Sequence, residues 1–181
     1  YHEHLCYLSL TPLIKFIKNF GLIVFDVERL NIGASGPAVR FFIQKESSNR
    51  KISKSVNILK NKEKSWGVDS FEKYKLFGDN IKTLKSKTLS LINKIKSSGY
   101  RIGGFGAPAK GNTLLNYYGL TKNHIECIAE NNKLNEGKLA PGSHIPIISD
   151  EEFLAHKFEY ALLLSWNYQD YFLQNSQFIK N

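Results

Sequence analysis

At 181 residues, with 42% hydrophobic and 13% aromatic content, the chain has room for one domain plus a remnant of another and enough apolar material to exclude wholesale disorder. Its formal charge of +9 is local: Lys45 to Lys96 carries 14 basic and 5 acidic residues, while the remainder balances at 11 and 11. Lys outnumbers Arg 21 to 4 and no strand interleaves Arg with aromatics, a pattern that excludes nucleic acid as the expected partner.

The chain starts at Tyr1 and contains no Met, which predicts a piece of a longer protein. Tyr1-His2-Glu3-His4 precedes a short helix with Ser9 or Thr11 as its cap and Pro12 in its first turn. Leu13, Phe16, Ile17 and Phe20 supply the apolar face, and Gly21 stops it. Leu22 to Leu30 and Ala38 to Lys45 read as strands joined by a Gly-rich turn, hence an antiparallel pair. A helix and two strands are too little for an independent core.

Residues 46–98 form a basic helical linker with a short helix around Val56, then a long amphipathic helix from Phe71 to Lys96. Phe71, Tyr74, Phe77, Ile81, Leu84, Leu91 and Ile95 recur at intervals of three, four or seven and mark its packed face.

Residues 99–181 alternate strand and helix. Arg101 to Phe105, Ile125 to Ala129, Ile145 to Ile148 and a buried Tyr160 to Ser165 are the strands. Helices follow Gly111, begin after a Ser149 cap, and close the chain from Tyr168 to Phe178. This order predicts an α/β fold with a Rossmann-like, mostly parallel sheet and flanking helices, preceded by the helix and antiparallel pair of residues 1–45. No apolar run approaches the roughly 20 residues of a membrane span, so no membrane contact and a cytoplasmic location are expected. Cys6 and Cys127 are expected as buried free thiols, and no metal site is expected.

Two segments carry chemistry. Gly104-Phe105-Gly106-Ala107-Pro108-Ala109 fits G-x-G-x-x-[GA] between a strand and a helix, where glycines let a backbone approach a pyrophosphate held by the helix N-terminus. Glu130 ends the next strand, where a ribose-binding acid would stand. The same glycines also suit a tight turn with no ligand, and both readings stay open. In Tyr1-His2-Glu3-His4, an extended backbone would point His2 and His4 together, and a His beside a carboxylate suits a general base near neutral pH. A solvated terminus is the plainer reading.

Four motifs in order give the chain a resemblance. Tyr1-His2-Glu3-His4 with Leu8-Ser9-Leu10, Gly106-Ala107-Pro108-Ala109-Lys110-Gly111-Asn112-Thr113, Pro141-Gly142-Ser143-His144-Ile145-Pro146-Ile147, and Trp166-Asn167 together resemble the sugar C-methyltransferases of deoxysugar biosynthesis. The resemblance implies that residues 1–45 are the end of a cofactor-binding methyltransferase domain and residues 99–181 a substrate-binding Rossmann-like domain. It implies S-adenosylmethionine as cofactor of the parent protein, none in this chain, and a nucleotide-linked keto sugar as substrate. It assigns His4 as the base, with Glu3 and Tyr1 lining the sugar pocket. Gly104, Gly106, Ala107, Pro108, Lys110, Asn112, Glu130, His144, Trp166 and Asn167 become the substrate-binding set. The chain departs from the family's pattern at Asn31–Pro37 and at Glu130, where Asp is more usual. Besides the enzyme fragment, two alternatives stand: a non-catalytic nucleotide- or dinucleotide-binding module, and an interaction domain docking through its long basic helix. A homodimer through residues 1–45 is a further expectation, because their apolar faces and strand edges lack cover.

Overall fold

The computed structural model describes residues 5–31 and 37–175. The chain divides into two compact units, one ending at Asn80 and the other starting at Ile81, and the division falls inside a helix.

The first unit contains α1 (Leu10–Lys18), β1 (Leu22–Leu30), β2 (Ala38–Lys45), α2 (Lys54–Trp66) and the start of α3 (Phe71–Ser97). β1 and β2 pair antiparallel from Leu22↔Lys45 to Leu30↔Ala38, as two strands joined by a short Gly-rich turn predict. A bulge between Val24 and Asp26 turns the Asp26 carboxylate toward the start of α2. There Asp26 Oδ1 accepts from the hydroxyls of Ser53 (2.5 Å) and Ser55 (2.6 Å) and from the Val27 N–H. These bonds, that of Ser53 foremost, hold the Asp26 carboxyl below its ordinary pKa. Leu10, Leu13, Ile17, Val24 and Val56 form the core of this unit. Phe16 and Phe20, expected on the packed face of α1, are exposed and meet edge to face. The face that meets β1 and α2 is narrower than the sequence suggests. Ser9 is the cap position of α1 but makes no side-chain cap. Glu63 of α2 takes that role, accepting from the N–H groups of Leu10 and Thr11 at 2.7 Å each. A carboxylate at a helix N-terminus satisfies orphan donors and complements the dipole.

The second unit contains the rest of α3, then β3 (Ile102–Phe105), α4 (Ala109–Tyr118), β4 (Ile128–Ala129), β5 (Ile147–Ile148), α5 (Asp150–Ala155), β6 (Tyr160–Leu163), a 3-10 turn (Trp166–Tyr168) and α6 (Gln169–Asn175). The four strands form one all-parallel sheet in the order β5-β4-β3-β6. Successive residues of β4 and β5 serve opposite faces, as the strand period requires. Ile128 and Ile147 join Ile92, Ile102, Leu115 and Leu164 on the face covered by α3 and α4. Cys127, Ala129 and Ile148 join Phe153 of α5 on the other.

The structure revises three expectations here. Cys6 is an exposed thiol, and only Cys127 is buried. β6 is an edge strand with Tyr160 and Ala161 exposed rather than a buried one. The residue of α3 that is buried is Ile92, aided by Leu89 and Ile95, whereas Phe77, Leu84 and Leu91 are 56%, 57% and 58% exposed. Among the described residues, no helix is long and apolar enough to cross a membrane.

At the amino-terminal end of the sheet Arg101 ties three strands together. Its guanidinium bonds both Glu126 oxygens (2.6 Å at the shortest) and the His156 carbonyl (2.9 Å), and lies 4.8 Å from the Phe158 ring centre. Its own N–H donates to Glu159 at 2.9 Å. The carboxyl end is left for the loops.

Candidate functional site

A parallel sheet offers a crevice outside the carboxyl ends of its strands, at the point where the chain reverses its direction of winding. Here β3 leads through α4 to β4 on one side, while β6 lies on its other side, so the reversal falls between β3 and β6. The residues that leave those two strands are Gly106 to Lys110 and Ser165 to Asn167. The sequence singles out both segments, and the fold brings them together.

Lys110, in the first turn of α4, reaches across to the 3-10 turn that follows β6. Its ammonium hydrogen-bonds Asn167 Oδ1 and sits 5.1 Å from the Trp166 ring centre. Partial burial pulls its pKa below the ordinary lysine value, although both partners are uncharged. An ammonium carries three donors, so two stay available for a ligand. Trp166 is half-exposed and presents its ring to the Lys110 ammonium. Pro108 holds the cap position of α4 and makes no side-chain cap hydrogen bond. That end carries the positive pole of the helix dipole.

The glycines are explained by the protein itself. Gly106 adopts φ +79°, and a β-carbon there would land on Ser165 Oγ. A β-carbon on Gly104 would come within 2.9 Å of Ile128 Cγ1. Glu130, at the end of β4, turns its carboxylate into the Gly-rich turn, where Oε2 accepts from the Ala107 N–H at 2.9 Å. Its other oxygen accepts from the Asn132 N–H at 3.1 Å. Asp150, following β5, is the neighbouring acid. Burial, and then the Glu130 charge, push its carboxyl above the ordinary aspartate value.

Asn112 is half-buried one residue into α4 beyond Gly111, and its carbonyl accepts from Asn116 Nδ2. His144 is exposed at φ +55° in the turn before β5, and Asn116 fastens that turn through the Pro141 carbonyl. Tyr1, Glu3 and His4 lie outside the described residues. Sequence reasoning missed Ser165 and Asp150. Both stand two residues beyond a strand end, which in a parallel sheet is the signal that could have found them. In the first unit a groove of about 430 Å³ runs along Val27, Pro37, Val39, Ile58 and Leu59, where apolar side chains predominate.

The chain is 31% identical, over 182 aligned positions, to C-methyltransferase NovU of Streptomyces niveus. The match covers 100% of this chain and 43% of that protein, so the chain spans less than half the length of its curated relative. The family described as C-methyltransferase C-terminal domain matches residues 33–181, which takes in β2 and every strand, turn and side chain of the crevice. By that match the chain belongs to the C-methyltransferase C-terminal domain family.

Proposed function

We propose that this chain is the substrate-binding, C-terminal part of an S-adenosylmethionine-dependent C-methyltransferase acting on a nucleotide-linked keto sugar by enolate formation and methyl transfer. The observation that carries the reading is the Lys110–Trp166–Asn167 crevice at the winding reversal of a domain in this family. A lysine with uncharged partners and two free donors suits a diphosphate, and an aromatic ring beside it suits a sugar or base. Asn112 and the first-turn N–H groups of α4 extend the polar wall, while Gly104, Gly106, Ala107 and Pro108 shape its floor. In this reading His4 removes the proton from the carbon beside the ketone, with Tyr1 and Glu3 orienting the sugar.

The cofactor belongs elsewhere in the parent protein. The Gly-rich turn of the second unit is filled by Ser165 and Glu130, which does not suit a methyl donor. Calorimetric titration of this chain with a nucleoside diphosphate sugar, the free nucleotide, NAD and S-adenosylmethionine tests the reading. Tight binding of the sugar nucleotide alone is expected, weakened at least about tenfold by Lys110→Met through loss of a charge-assisted contact. Binding of NAD alone would instead identify a dinucleotide module. A micromolar constant for S-adenosylmethionine would place the cofactor site here.

A further inference from the structure

In a dinucleotide-binding turn the second glycine leaves room for a pyrophosphate, and the N–H groups of the turn and helix receive it. Two of these provisions, the room beside Gly106 and the N–H groups of the turn, are already used within this chain. The room beside Gly106 is filled by Ser165 Oγ from the end of β6. The Gly106 N–H donates to the Ala129 carbonyl at 2.9 Å, and the Ala107 N–H donates to Glu130 Oε2 at the same distance. Glu130 is itself steadied by the Asn132 N–H, so its carboxylate stays against the turn without help from a ligand.

From this we infer that Glu130, backed by Ser165, acts as an internal anion that closes the Gly-rich turn to pyrophosphate and so selects against NAD-type dinucleotides. Charge reinforces geometry. An incoming pyrophosphate would meet the Glu130 carboxylate where the sequence pattern promises a phosphate cradle. The opposite wall of the crevice, with Lys110, is the side that attracts an anion. One βα turn therefore carries a repelling and an attracting flank, and specificity often depends on the repelling one. Glu130 is thus a specificity-determining residue, and the G-x-G-x-x-A match is a tight turn rather than a cofactor cradle. The inference rests on the turn's geometry and not on the keto-sugar reading, so the two fail separately.

The test is calorimetric titration of the chain, Glu130→Ala and Glu130→Gln with inorganic pyrophosphate and NADH. The wild-type chain is expected to bind neither of them at sub-millimolar concentration. Glu130→Ala frees the Ala107 N–H and removes the charge, so it should bind pyrophosphate and NADH at least about tenfold tighter than wild type. Glu130→Gln keeps an acceptor for that N–H and should gain less. Circular dichroism checks the fold of each variant. If Glu130→Ala fails to fold, the gain is read on Glu130→Gln alone. Wild-type binding equal to that of the variants, or no gain in any folded variant, would overturn the inference.

Discussion

Arg101 commits its guanidinium to several partners at once, and the consequence is a pH dependence. The Arg101 hydrogen bonds hold the Glu126 carboxyl below its ordinary value of 4.5, with the Arg101 charge assisting against the cost of burial. A carboxylate whose pKa is depressed on folding stabilises the native state above its unfolded pKa. That contribution is lost as pH falls from about 4.5 through the lower folded value. Glu126→Gln should therefore be less stable than wild type at pH 7, with the difference shrinking below pH 4.5. Urea midpoints measured from pH 7 to pH 3 check this. A gap that is constant over the whole range would mean that the pair contributes packing and not charge. Asp150 works in the opposite sense: its raised pKa favours the folded state as pH falls, so the acid limb is a difference between the two groups.

In α3, one face is fastened and one is not. Ile92 is buried with Leu89 and Ile95 at its flanks, and Lys85 Nζ donates to the Tyr117 carbonyl at 2.6 Å while lying over the Tyr117 ring. Ile92→Ala should cost about 2–5 kcal/mol through loss of transfer energy and cavity formation. Leu91→Ala, one position away on the exposed side, should stay within about 0.5 kcal/mol. Denaturant titration of both variants decides; equal losses would show that the Leu91 side is covered in solution. The sequence carries the periodicity of this helix but not which of two apolar rows is packed. Phe77, Leu84 and Leu91 repeat every seven residues and look like a seam, yet the row through Ile92 meets the sheet. Strand direction was legible, because the Gly-rich turn between β1 and β2 and the alternation of strand and helix after residue 99 are local in sequence, as is the Ser149 cap of α5; β4 and β5 came out at two residues each, shorter than expected. The cap of α1 was not: it comes from Glu63, more than fifty residues away, and no local pattern encodes it. For the crevice, the strand-to-helix turn and Trp166-Asn167 were both visible in the sequence. Their juxtaposition was not, since it depends on strand order. Nor was the inward turn of Glu130, which depends on where its carboxylate finds a donor.

Two units with separate cores make up the whole molecule, and the first has the thinner one. The start of α2 bonds the edge of β1 at Phe25 and Val27, whereas among the described residues no strand pairs with the outer edge of β2, and Phe16, Phe20, Val39 and Ile43 remain exposed. Unpaired edges beside apolar surface favour association, so we expect this unit to pair with a second copy. Light scattering on the chain should give twice the monomer mass, and limited proteolysis should spare the first 45 residues. A monomer that resists proteolysis there would contradict pairing, and a monomer that loses them would mean they need the rest of the parent. The second unit separates its tasks by end. Arg101, Glu126, His156 and Glu159 lock the amino-terminal end of the sheet, while Lys110, Glu130, Ser165 and Asn167 sit at the other, about one strand length away. Such a division makes the unit evolvable: the residues that choose a ligand can be exchanged without loosening those that hold the strands in register. A new acceptor molecule then requires changes in a few loop positions, and the fold carries the novelty as cargo rather than as strain.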